Sequence, residues 1–77
     1  MKKVIMYSTP TCHYCNEAKK FFDENKIKYT VYNVASDLEK RAEMVSKSGR
    51  SSVPVITIGD AVFVGFSKDL LSKELGI

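Results

Sequence analysis

The sequence predicts a small α/β domain: one mixed four-stranded sheet with helices on both faces, in the order βαβαββα. Three observations carry that expectation. Short apolar runs alternate with stretches whose apolar residues recur at spacings of three and four. A two-residue hairpin signal, Gly59-Asp60, separates the last two short runs. The chain has 77 residues and is 44% hydrophobic, enough for one small core and not two, so residues 1–77 read as a single domain.

Lys2 to Ser8 holds Val4, Ile5, Met6 and Tyr7, a run that suits a buried strand. Thr9-Pro10-Thr11 breaks it, and from Cys12 to Asn25 the pattern turns helical. Cys15, Ala18 and Phe22 share one face there, widened by Phe21. Lys28 to Val34 alternates and reads as a second strand. Ser36 with Glu39 forms a capping box, and Asp37 favours the same helix start. Leu38, Ala42 and Val45 then make the expected buried stripe, with Met44 at its edge, and Gly49 is a left-handed stop. Val53 to Ile58 is a third strand opened by Pro54, and Ala61 to Val64 pairs back across the hairpin. Ser67 caps a last helix expected to bury Leu70, Leu71 and Leu75 before Gly76 ends it. The first βαβ unit requires a parallel crossover, and the hairpin adds an antiparallel pair.

Composition excludes several classes. Only four Gly and two Pro argue against low-complexity or collagen-like chains. No apolar run reaches the ~18 residues of a membrane span, and Val4-Ile5-Met6 is too short for a signal-peptide core. A cytoplasmic location with no membrane partner is therefore expected. The net charge of +3 comes from scattered lysines interleaved with acids, without the aromatic-lined basic groove that single-stranded nucleic acid needs.

The two cysteines, Cys12 and Cys15, carry the chemistry. A bridge between them closes too small a loop to be a useful staple. Zinc normally takes four ligands, and here only Cys12, Cys15 and His13 are at hand, so no metal site is read. Cys12 falls where a helix opens after a strand, and unpaired N–H groups and the positive dipole end favour an anion there. Thiols so placed drop from about 8.5 to roughly 3.5–7.5. Cys15 lies nearly one turn on, along the apolar face, where burial opposes ionisation. The expected division of work follows: Cys12 attacks a substrate disulfide and Cys15 resolves the mixed disulfide.

At this point the chain resembles the glutaredoxins. The resemblance rests on Tyr7-Ser8 through Cys12-His13-Tyr14-Cys15, on Ser48 through Val53-Pro54, and on Val64-Gly65-Phe66-Ser67-Lys68-Asp69-Leu70, and it runs essentially the full length. It implies a thioredoxin fold with sheet order 2-1-3-4 and a cis peptide between Val53 and Pro54. It also implies that the Val53 backbone faces the cysteines, where an extended substrate pairs as an added strand. Tyr14, Val53, Pro54, Ser67 and Lys68 are the implied substrate or glutathione-binding residues. His13 stands where these proteins more often carry proline. It reads either as a residue tuning Cys12 or as an exposed helix-start residue.

Two departures bear on the reductant. Thr9 replaces a common lysine, and Gly65-Phe66-Ser67-Lys68-Asp69 replaces Gly-Gly-x-Asp-Asp. A cation at Lys68 repels the glutathione ammonium while attracting a carboxylate. Gly65-Phe66 is similar to the glutaredoxin-like electron donors of ribonucleotide reductase, which draw on thioredoxin reductase; the other reading of Phe66 is a core aromatic. The expectation is a monomeric thiol–disulfide oxidoreductase that requires no bound cofactor, with glutathione as co-substrate and disulfide-containing proteins as partners. The alternatives are a donor to ribonucleotide reductase fed by thioredoxin reductase, and a dimeric iron–sulfur cluster carrier.

Overall fold

The computed structural model describes residues 3–77, so the expected strand start at Lys2 lies outside the described residues. The elements follow the anticipated order: β1 (Val4–Ser8), α1 (His13–Glu24), β2 (Thr30–Asn33), α2 (Leu38–Ser48), β3 (Val55–Ile58), β4 (Ala61–Val64) and α3 (Lys68–Leu75). The strands form one sheet in the order β2-β1-β3-β4. β1 lies parallel to β2 and antiparallel to β3, and β3 runs antiparallel to β4. This is the α/β thioredoxin-like fold.

β1 is an inner strand, which is why its sequence is apolar on both faces. Val4 and Met6 join Cys15, Ala18, Phe21 and Phe22 of α1, Ile56 and Ile58 of β3 and Leu71 of α3 in one core. Tyr7 points the other way and joins Val34, Val55 and Met44 of α2 in a second. β2, at the edge of the sheet beside β1, is shorter than Lys28–Val34. Their register runs from Ile5 opposite Thr30 to Ser8 opposite Asn33, and pairing stops where β1 stops. β3 begins at Val55, since Pro54 has no N–H to give to a ladder.

Two helix faces differ from expectation. On α2 the stripe of Leu38, Ala42 and Val45 stays exposed, Leu38 at 74%, and Met44 is the fully buried residue. The cause lies across the sheet. The buried Tyr7 hydroxyl needs an acceptor and donates to Glu43 Oε2 at 2.7 Å, while Lys40 Nζ sits 4.3 Å from the Tyr32 ring centroid. These contacts turn the Lys40–Glu43–Met44 side of α2 inward. The cap also shifts: Asp37 accepts the Lys40 N–H at 3.1 Å, whereas Ser36 Oγ donates to the Asn33 carbonyl. On α3, Leu71 is buried and Leu75 half-buried, but Leu70 is 55% exposed, because it lies about 100° around the helix from Leu71. Ser67 occupies the cap position without a side-chain bond. Gly49 and Gly76 end their helices in the left-handed region, at φ 71° and 75°. Among the described residues no helix is long and apolar enough to cross a membrane.

Candidate functional site

β1 delivers the chain to a tight turn in which the Cys12 N–H donates to the Thr9 carbonyl at 3.2 Å. Cys12 is the N-cap of α1, with extended backbone at φ −80° and ψ 112°. Its Sγ takes the place that an oxygen usually fills and accepts the Cys15 N–H at 3.1 Å. The first turn of α1 holds no acidic residue, so no carboxylate there opposes negative charge on that sulfur. Cys12 is half-buried, while Cys15 is fully buried in the α1 core beside Ala18 and Phe22. The two are joined as a disulfide, with Cα atoms 5.2 Å apart. The helix opening thus holds one sulfur at the surface and its partner beneath.

Around this pair the expected residues are spread over several surfaces. His13 is exposed, its Nε2 3.3 Å from Glu17 Oε1, and its ring meets Tyr14 edge-on at 5.6 Å. Tyr14 is 60% exposed in the first turn of α1. The Val53–Pro54 peptide is cis. Val53 is half-buried and packs against both cores, with Cys12 and Phe66 on the rim of the same α1 core. Neither the N–H nor the C=O of Val53 has a backbone hydrogen-bond partner among the described residues, whereas the Pro54 carbonyl accepts from Gly65 at 2.8 Å. Ser67 is half-buried at the start of α3, and Lys68 is exposed with its Nζ 6.0 Å from the Phe21 ring centroid.

A surface groove of ≈340 Å³ runs along α1, lined by Glu17, Lys20, Phe21, Glu24, Phe66 and Lys68. Of the residues expected to hold a ligand, only Lys68 lines it; Tyr14, Val53, Pro54 and Ser67 do not. Phe66 is half-buried, with its ring 5.9 Å from Phe21 in an edge-on contact. It is thus part of the core rim and a groove wall at once. Sequence reasoning missed this groove. The only signal was Phe21 widening the apolar face of α1 beyond Phe22.

Behind the site, burial and the bond to Glu43 push the Tyr7 hydroxyl well above the usual tyrosine range. The same bond holds the Glu43 carboxyl below its ordinary value, helped by Lys40 and Lys47. Tyr29 is raised for similar reasons, by burial and its bond to Asp23. Among the described residues no three His, Cys, Asp or Glu side chains converge as a metal site.

Comparison with known proteins agrees with this geometry. The family model described as Glutaredoxin matches residues 4–63. An uncharacterized glutaredoxin-like 8.6 kDa protein in the rubredoxin operon of Clostridium pasteurianum is 43% identical over 70 residues, covering 91% of this chain and 93% of that protein. Glutaredoxin 3 of Escherichia coli K12 is 36% identical over 74 residues, covering 96% of this chain and 88% of its own length. The crystal structure of a glutaredoxin from Archaeoglobus fulgidus superposes with a TM-score of 0.87 at 25% identity, over 97% of this chain and 87% of that one. The motif, the fold and these relatives agree: the chain belongs to the glutaredoxin family.

Proposed function

We propose that the chain reduces disulfides in proteins and mixed disulfides of glutathione, using Cys12 and Cys15 as a dithiol/disulfide couple. The observation that carries this is the Cys12 Sγ at the mouth of α1, accepting the Cys15 N–H at 3.1 Å. Electrostatics there favour a thiolate, and the thiolate is the nucleophile in exchange. Cys12 attacks one sulfur of the substrate disulfide, and the other leaves as a thiolate that takes up a proton. Cys15 then gives up its proton and attacks Cys12, releasing the second substrate thiol. Two electrons and two protons pass to the substrate, and the Cys12–Cys15 disulfide remains. The electrons reside on the sulfurs, so no bound cofactor is required.

The unpaired Val53 backbone, next to the cis peptide to Pro54, supports strand-like pairing with an extended substrate, and the exposed Tyr14 ring offers it a further surface. Ser67 and Lys68, at the start of α3, offer a hydroxyl and a cation to a carboxylate such as those of glutathione. His13 is assigned a tuning role beside Cys12. Replacement of Cys12 by Ser tests the scheme: reduction of a disulfide substrate should fall to background, and retained activity would refute the assignment.

A second reading concerns the electron source. The Phe66 ring seated on Phe21, with Lys68 where glutathione users carry an acid, favours a flavoprotein thioredoxin reductase as donor and ribonucleotide reductase as one acceptor. The Clostridium relative's place in a rubredoxin operon supports a role among electron-transfer proteins. Oxidised protein offered glutathione with glutathione reductase, or NADPH with thioredoxin reductase, separates the two by rate.

A further inference from the structure

We propose that the groove along α1 receives an apolar side chain and a neighbouring carboxylate from the protein segment that carries the target disulfide. This selects protein disulfides over glutathione. It rests on exchange at Cys12 and adds the chemistry of the substrate around its cysteine.

The groove floor is aromatic: Phe21 from α1 and Phe66 from the turn before α3 meet edge-on at 5.9 Å. Its rim is charged, and several of those groups already have a neighbour. Lys20 Nζ is 4.0 Å from Glu24 Oε1, and Glu17 Oε1 lies 3.3 Å from His13 Nε2. Lys68 is left over. Its ammonium lies 6.0 Å from the Phe21 centroid, and no carboxylate among the described residues is within ion-pair distance. The groove therefore presents the half-buried Phe66 ring and the small part of Phe21 that stays exposed, with one unmatched cation beside them. An apolar side chain fills the first, and an adjacent carboxylate matches the second. Glutathione offers carboxylates but no apolar side chain, so the ring floor gains nothing from it. A protein segment offers both.

Position fits as well. At a rise of about 1.5 Å per residue, Glu17 and Phe21 lie roughly 7 to 14 Å along α1 from Cys12. An extended peptide advances about 3.3 Å per residue, so the groove is reached about two to four residues from the cysteine under attack. The Val53 backbone, on the rim of the same core, is free to hold such a segment extended.

The test uses the reduced full chain and short peptides, each with one cysteine and linked as disulfide homodimers. One set carries Phe-Glu at the third and fourth positions from the cysteine, on either its N- or C-terminal side; controls carry Phe-Lys or Ser-Gln there. Each turnover converts one peptide disulfide to two thiols and the protein dithiol to its disulfide. The proposal expects kcat/KM about tenfold higher for Phe-Glu than for Ser-Gln in one of the two placements, with Phe-Lys between them and glutathione disulfide below Phe-Glu. Phe66→Ala should abolish the Phe-Glu advantage over Ser-Gln. Lys68→Glu, at an exposed position, should reverse the preference between Phe-Glu and Phe-Lys, and it decides the matter if Phe66→Ala does not fold. Equal rates for all peptides in both placements, or a preference that survives Lys68→Glu, would overturn the groove while leaving exchange at Cys12 standing. If neither the peptides nor glutathione disulfide are reduced, the exchange reading falls and the groove proposal falls with it.

Discussion

Cys12 and Cys15 are linked twice: their sulfurs are bonded, and the backbone N–H of Cys15 also donates to Cys12 Sγ at 3.1 Å. The second link has a consequence for the reduced protein. When the disulfide opens, a donor fixed by the helix already points at the Cys12 sulfur and at no equivalent position on Cys15. Hydrogen bonding to a charged form favours that form. An asymmetry between the two sulfurs is therefore built into the first turn of α1, and it is the one that the proposed roles of attacking and resolving thiol require.

The first prediction separates the two cysteines. With glutathione as reductant, Cys15→Ser should still remove glutathione from a mixed disulfide, since a second glutathione can do the resolving. Cys12→Ser should not. A coupled assay with glutathione reductase reads both. An inactive Cys15→Ser protein would point to obligatory dithiol exchange with protein disulfides.

A second prediction concerns the other face of the sheet. Tyr7→Phe removes a bond to a carboxylate that anchors α2, and should cost about 1–3 kcal/mol. For a chain of this size, each kcal/mol corresponds to roughly 4–8 °C in Tm. Thermal unfolding followed by circular dichroism measures this. An unchanged Tm would mean that Met44 alone seats the helix.

The same pair sets a pH dependence. Glu43 is held below its unfolded value of 4.5, so its contribution is present above about pH 4.5 and is lost as pH falls through the lower, folded value. Tyr7 is held above its unfolded value of 10.0, so its contribution is complete below that and is lost as pH rises beyond it; Tyr29 adds in the same direction. Urea midpoints measured across pH should decline on both sides. Glu43→Gln should flatten the acid limb, and Tyr7→Phe should flatten both.

A fourth prediction contrasts buried and exposed apolar residues that look alike in sequence. Met44→Ala and Leu71→Ala, at fully buried positions, should each cost about 2–5 kcal/mol. Leu38→Gln and Leu70→Gln, at exposed positions, should stay within about 0.5 kcal/mol of the parent. Chemical denaturation gives all four values. A large loss at Leu38 would restore the stripe that periodicity alone suggests.

That contrast marks what the sequence could reveal. The elements, their order and the Cys12–Cys15 opening of α1 were legible because their signals are local: apolar runs, Gly59-Asp60, Gly49, and a cysteine pair one turn apart. The rotation of α2 was not, because it depends on a tyrosine hydroxyl reaching a carboxylate 36 residues away. The periodicity of Leu38, Ala42 and Val45 was real, yet it named the wrong face. The groove was hidden for the same reason. Phe21 and Phe66 are distant in sequence, and only the packed fold puts their rings together.

The most direct test of the central claim is a titration of each thiol in the reduced protein, by the rate of alkylation against pH with the alkylated residue identified by mass spectrometry. Cys12 should ionise well below the ordinary thiol value of about 8.5, and Cys15 should stay at or above it. A Cys12 no more acidic than a free thiol, or a Cys15 more acidic than Cys12, would contradict it.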